Sequence, residues 1–292
     1  MLRNKRVPKI AAIHDMSCYG RASLTLVIPT LSSMGVQVCP LPTAILSTHT
    51  GGFEGYTFLD LTEEMLKIIT HWKKLKLEFD CVYSGYLGSP RQVEIVEDFI
   101  DSFGGKEKLV IIDPVLGDEG IKYDAINEDM VRGMKKLIGK AQLITPNYTE
   151  ICLLFDDEYK QYVSLDEIKT LIKKAADLGP GQIVVTSVPL EGRAKQAAAI
   201  AYDVKKDCFW LAERPYVAAS YPGTGDIFTS VIAGALLNGE IFPRALGMAA
   251  DFIHACLRTG MEDDAPIRDG IALESMLNEL SNPSKGAKVE II

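Results

Sequence analysis

Short apolar runs alternate with longer segments of helical periodicity along almost the whole chain, and this alternation limits the fold more than any other feature. Such an order calls for parallel strands joined by crossover helices, with helices packed on both faces of the sheet. Strands are predicted at 9–14, 36–41, 80–85, 108–113, 141–145 and 181–187. Helices are predicted at 22–35, 62–77, 90–103, 126–138, from Asn147 onward, and at 164–178. Residues 197–211 read as a hairpin turning at "VKKD", and three helices follow at 226–238, 242–258 and 270–280. No repeat or low-complexity linker interrupts the 292 residues, so 1–292 is expected to form a single domain.

Open parallel sheets bind ligands beyond the carboxyl ends of their strands. The stretches falling there are "HDMSCYG" (14–20), "SGYLGS" (84–89), "DPVLGDEG" (113–120), "TPNYTE" (145–150) and "TSVPLEGR" (186–193). Turns favour Gly, Pro, Asp and Asn in any case, so one such stretch means little. Their recurrence at successive strand ends marks a candidate ligand-binding rim.

Composition narrows the ligand. A net charge of −8 disfavours nucleic acid and anionic membrane surfaces as partners, but not phosphate-bearing small molecules. The six cysteines are scattered without a CxxC, as expected for reduced thiols rather than a disulfide frame or zinc site. The start, "MLRNKRVPK", leads into an apolar run too short for a signal peptide or membrane span, so a cytoplasmic location is expected. GxxxxGK[ST], a GxGxxG after the first strand, HExxH and GxSxG are all absent. The four histidines (14, 49, 71 and 254) lack metal-ligand spacing, and His71 and His254 read as structural.

What remains is "PGTGD" (222–226), which opens a helix that is apolar nearly all round. The N-terminus of a buried helix carries unpaired N–H groups and a positive dipole end. Gly223 and Gly225 allow close approach of an anion to that backbone. Asp226, in the first turn, has two readings: it satisfies the helix dipole, or it takes a proton from a hydroxyl as a phosphoryl group arrives.

In family order, "LSTHTGG" (46–52), "YSGYLGS" (83–89), "VIIDPVLGDEG" (110–120), "LITPNYTE" (143–150), "VVTS" (184–187) and "PGTGDIF" (222–228) span nearly the whole chain. By this ordered set the chain resembles the ribokinase-like small-molecule kinases, and among them the vitamin B6 (pyridoxal and pyridoxamine) kinases. The resemblance implies a three-layer α/β/α ribokinase-like fold with a mostly parallel central sheet. It also implies transfer of the γ-phosphoryl of ATP to a hydroxymethyl group on a heteroaromatic ring.

By that resemblance Asp226 matches the catalytic base, and the amides of Gly223, Thr224 and Gly225 match the anion hole. Asp113 and Glu150 match acidic residues that organise Mg²⁺, partly through water. Asp118, Asn147, Thr186 and Ser187 match positions around the ATP phosphates and metal. His49, Thr50 and Tyr86 match the ring pocket, and Tyr123 falls in a loop that covers it. Loops 115–125 and 188–196 are the expected covers. The family often uses a monovalent cation such as K⁺, and a homodimer is expected.

Asp15 departs from the pattern, since B6 kinases usually carry serine there. A solvent-facing or capping role and a contact with a cationic part of the substrate are both open readings. Asp15-Met16-Ser17 also resembles an Asp-x-Ser element of the hydroxymethylpyrimidine kinases of thiamine synthesis. Those kinases commonly end the anion-hole motif in cysteine and lack "STHTGG". A B6-binding regulator that has kept the fold is a third reading, disfavoured because the base, both glycines and both metal carboxylates are present together.

Overall fold

The computed structural model describes residues 6–105, 108–263, 266–281 and 288–292. The strands are β1 (Lys9–Ser17), β2 (Gln37–Leu46), β3 (Phe58–Asp60), β4 (Cys81–Ser84), β5 (Leu109–Ile112), β6 (Gly117–Asp118), β7 (Ile121–Lys122), β8 (Leu143–Ile144), β9 (Gln182–Val185), β10 (Gln196–Asp203), β11 (Cys208–Pro215) and β12 (Glu290–Ile291). The helices are α1 (Leu24–Ser33), α2 (Thr62–Lys74), α3 (Pro90–Phe103), α4 (Glu128–Leu137), α5 (Tyr148–Phe155), α6 (Leu165–Ala176), α7 (Thr224–Leu237), α8 (Phe242–Glu262) and α9 (Leu277–Ser281). One ten-stranded sheet runs in the order β12-β11-β10-β9-β8-β5-β4-β1-β2-β3, and β6 and β7 form a separate hairpin.

The six strands from β9 to β2 in that order pair in parallel, as the alternation requires. The strands flanking them, β3 on one side and β10, β11 and β12 on the other, pair antiparallel. Central strands are buried on both faces and so read as continuous apolar runs. In β1, Ala11 and Ile13 join the core beneath α2 to α6, while Ile10 and Ala12 join the one beneath α1 and α7 to α9. Helix starts follow local chemistry: Ser89 caps α3 ahead of Pro90, and Asn147 and Ser164 close capping boxes on α5 and α6.

β1 lies between β4 and β2, so the chain leaves it in opposite directions on its two sides. That topological switch opens a crevice at the carboxyl ends of β1 and β4. His14 and Asp15 border it from β1, and Ser84 and Gly85 from β4.

Three differences from the predicted elements have physical causes. β2 continues to Leu46 through Pro40 and Pro42 because β3 pairs only with Ala44–Leu46, so the missing N–H groups cost no ladder bond on that side. The predicted helix 270–280 is a short 3₁₀ turn, Glu274–Met276, followed by α9. Gly270 takes φ +85° against the Arg21 backbone, and Ile271, Ala272 and Leu273 are buried outside any helix. β3, β12 and the β6–β7 hairpin are too short to show periodicity. All six cysteines are free thiols. No helix among the described residues is long and apolar enough to cross a membrane.

Candidate active site

α7 starts at the rim of the crevice. Gly223 sits at φ +87°, and a Cβ there would lie 2.1 Å from Leu26 Cδ1 and 2.8 Å from the Arg21 carbonyl oxygen. Only glycine fits that turn. α7 is buried from Ile227 to Ala235, and no side chain caps its first turn. The start of α7, at Thr224 and Gly225, therefore faces a pocket as an anion-accepting group.

Asp226 does not cap its own helix. Its Oδ2 accepts a hydrogen bond from the Ser23 N–H at 2.8 Å, and the side chain is 15% exposed. Burial pushes its carboxyl up to about 7; the Ser23 N–H opposes that shift and the neighbouring Asp15 adds to it. A carboxylate poised there suits a general base at neutral pH.

Asp113 follows β5 and is buried beside Thr229, whose hydroxyl is 3.5 Å from Oδ2. Burial, then the Glu150 and Asp226 charges, raise its carboxyl well above the carboxylate range. Glu150 is also raised by burial, opposed by backbone N–H donors. Its Oε2 accepts from Asn147 N at 2.8 Å and its Oε1 from Leu116 N at 3.0 Å. Asn147 returns the capping bond to Glu150 N through Oδ1, and its Nδ2 donates to the Gly117 carbonyl, tying α5 to the β6–β7 hairpin. Asp118 is exposed on that hairpin, its carboxyl raised chiefly by desolvation. Tyr123 is 43% exposed, and its phenol is raised by desolvation and then by Glu150, Asp118, Asp113 and Asp226.

Among the described residues no group of three or more His, Cys, Asp or Glu side chains could hold a metal. Asp113 and Glu150 are two mutually repelling carboxylates, with the Glu150 oxygens already accepting backbone bonds. Such a pair fits a strongly hydrated divalent ion held partly through its waters, and does not fit an all-protein cage.

Asp15 is the charged neighbour of Asp226. Asp15 is buried and accepts from the hydroxyls of Ser23 and Ser17. Burial raises its carboxyl, with these hydrogen bonds opposing. The exposed and capping readings of Asp15 therefore both fail. Tyr86 lies within its field: the phenol is raised first by desolvation and then by Asp15. His49 uses both ring nitrogens structurally, accepting from Gly51 N at 3.1 Å through Nδ1 and bonding the Arg268 carbonyl at 2.7 Å through Nε2. Thr50 is exposed in the next turn.

A pocket of about 300 Å³ is reached by Asp118, Thr186, Ser187, Thr224 and Gly225. Ser187 takes φ +55° at the end of β9. Most of the pocket's apolar wall was not found in the sequence: Ala198, Ala199 and Ala212 from the β10–β11 hairpin, and Ile253 and Leu257 from α8. Small residues in a strand give no signal of a pocket until the sheet is assembled. His254, read as structural, also lines it. The expected cover at 188–196 is tied instead to the start of α6, with Val163 N donating to Pro189 O and Glu191 N to Val163 O. Residues 214–220 border the pocket in its place.

An uncapped helix N-terminus at the wall of a pocket, with one raised carboxylate beside it and two more nearby, defines a small-molecule phosphotransferase of ribokinase-like fold. The chain belongs to the phosphomethylpyrimidine kinase family, whose model matches residues 13–267. It is 48% identical to a Bacteroides thetaiotaomicron protein assigned to the phosphomethylpyrimidine kinases and crystallised with pyridoxal, covering 98% of this chain and 100% of that one at a TM-score of 0.94. It is 28% identical to the pyridoxal kinase of Lactobacillus plantarum, over 94% and 97% of the two chains, with a TM-score of 0.85. The pyridoxal kinase of Rubrobacter xylanophilus is 26% identical over 85% of this chain and 86% of its own length.

Proposed function

We propose that the protein transfers the γ-phosphoryl group of ATP to the 5′-hydroxymethyl oxygen of a B6 vitamer, with residues 1–292 acting as one catalytic domain. The observation that carries this reading is Asp226: a carboxylate raised to about 7, placed in the first turn of an uncapped buried helix whose start lines a pocket. The pyridoxal-bound Bacteroides relative supports the vitamer assignment.

Asp226 accepts the hydroxyl proton as that oxygen bonds to the γ-phosphorus and the bond to the β-bridging oxygen breaks, releasing ADP. The amides from Gly223 to Asp226 receive the charge spread over the transferring oxygens. Thr186, Ser187 and Asp118 hold the nucleotide phosphates, and the alanine-lined wall receives the base. Asp113 and Glu150 hold hydrated Mg²⁺, which supplies charge neutralisation when bound with ATP. Asp15, Tyr86 and Thr50 face the ring, while His49 shapes that pocket from behind. Tyr123 covers it.

A second reading is a hydroxymethylpyrimidine kinase, favoured by the buried Asp15 and the description of the matching family. One assay separates the two: ATP consumption with Mg²⁺ and pyridoxal, pyridoxamine, pyridoxine or hydroxymethylpyrimidine, comparing wild type with Asp226→Ala. Turnover of a vitamer that collapses in the variant supports the first reading; turnover of the pyrimidine alone supports the second. Adding K⁺ to the same assay tests for a monovalent activator. The reading includes a cytoplasmic homodimer, checked by light scattering and fractionation.

A further inference from the structure

Two histidines, His14 and His49, are buried, and they are used differently. His49 satisfies both nitrogens with backbone groups. His14, on β1, is 0% exposed, yet neither ring nitrogen has a hydrogen-bond partner among the described residues. Buried polar atoms are ordinarily paired, so this orphaned ring calls for an explanation.

The surroundings of His14 are specific. Its ring stands edge-on to Tyr83, with centroids 4.3 Å apart at 79°. Gly85 makes room for it, since a Cβ there would lie 2.3 Å from Nδ1. Nδ1 is 3.9 Å from Oδ1 of Asp226, while Oδ2 of the same carboxylate is held by the Ser23 N–H. Burial lowers the imidazole to about 3, so it is neutral at working pH and forms no ion pair with the carboxylate. The neighbouring ionisable groups are Asp15, next in the chain, and Tyr83, itself in the field of Asp113 and Asp226.

We propose that His14 is a positioning residue for the base: its Nδ1–H donates to Oδ1 of ionised Asp226 as the site closes on substrate. A shift of about 1 Å converts the observed separation into a hydrogen bond. Ser23 and His14 then hold one oxygen each, leaving the carboxylate aimed at the hydroxyl. A neutral donor orients the carboxylate without the compensating charge of an imidazolium, so Asp226 keeps its affinity for the proton. The inference rests on the kinase reading.

The test has a spectroscopic and a kinetic arm. In ¹⁵N-histidine-labelled wild type, NMR should report His14 as the neutral Nδ1–H tautomer; the Nε2–H tautomer or an imidazolium overturns the proposal. His14→Leu and His14→Asn have similar size, but only Asn places an N–H near the Nδ1 position. His14→Leu is expected to lower kcat about tenfold or more, with both KM values within about twofold, and His14→Asn to recover most of it. Unchanged kcat in the Leu variant, or no recovery in a folded Asn variant, overturns the role. If neither variant folds, or if wild type turns over no substrate and the kinase reading itself fails, the tautomer still decides whether Nδ1 carries the proton that the hydrogen bond requires, and its absence overturns the proposal.

Discussion

Ser23 holds two carboxylates at once: its backbone N–H donates to Asp226 Oδ2 at 2.8 Å, and its hydroxyl donates to Asp15. The residue sits at φ +52°, at the start of α1, and bonds a carboxylate 203 positions away in the chain. The base and the ring-side acid are thus tethered through one residue, and Asp15 in turn adds to the raised proton affinity of Asp226.

Asp226 has a cost in stability that its function explains. Its folded value of about 7 lies above the ordinary carboxylate value, so the folded state binds the proton more tightly than the unfolded chain. The resulting contribution is favourable at low pH, fades as pH rises toward 7, and is gone above it. Asp226→Asn should therefore raise the unfolding free energy at pH 8 by on the order of 1–4 kcal/mol, seen as a higher Tm, and the advantage should shrink as pH falls from 7 to about 4. Calorimetry at pH 5 and 8 checks this. The same substitution should lower kcat by roughly 10²–10⁴. In wild type, kcat/KM should rise with pH through about 7 and then level off.

Asp15 is a buried carboxylate beside Asp226, with hydroxyl donors but no basic side chain bonded to it among the described residues. A cationic substrate group compensates that charge. Asp15→Ser should shift the ratio of kcat/KM for pyridoxamine over pyridoxal toward pyridoxal by about tenfold. An unchanged ratio would sink the charge-recognition role.

Gly223→Ala combines a positive φ with a collision against Leu26 and the Arg21 carbonyl. The expected loss is about 1–3 kcal/mol of stability, together with displacement of the first turn of α7 and a fall in kcat. Thermal melts and single-turnover rates measure the two effects separately. A stable, fully active variant would show that the turn does not require glycine.

Glu150→Gln keeps one acceptor and sets an amide N–H₂ against a backbone donor, at either Asn147 or Leu116. Stability should fall by about 1–3 kcal/mol. If Glu150 also holds hydrated Mg²⁺, the half-saturating Mg²⁺ concentration should rise about tenfold. Lost stability with unchanged Mg²⁺ dependence would leave Glu150 as a helix cap alone.

Local patterns made much of the fold legible. Apolar runs and helical periodicity marked the parallel strands and their crossovers, while "TPNYTE" and "PGTGD" marked two helix starts that border the site. β3, β12 and the alanine-lined wall were not legible, because pairs or triplets of residues carry no period and alanine is common in any core. That His254 also borders the pocket was not legible, because a half-buried histidine on a helix looks the same from sequence whether or not its neighbour is a cavity.

By itself the sequence determined the order of strands and helices, the need for glycine at the start of α7, and the types of side chain available to a phosphotransferase. These depend on spacings of a few residues and on backbone sterics, which act locally. Only the tertiary structure decided how those side chains ionise and which partners hold them: Asp226 raised to about 7 and bonded to Ser23, Glu150 engaged by two backbone donors, His14 neutral and without a hydrogen-bond partner among the described residues. Desolvation and charge interaction sum over everything packed around a group, and what surrounds Asp226 comes from segments that meet only when the sheet closes.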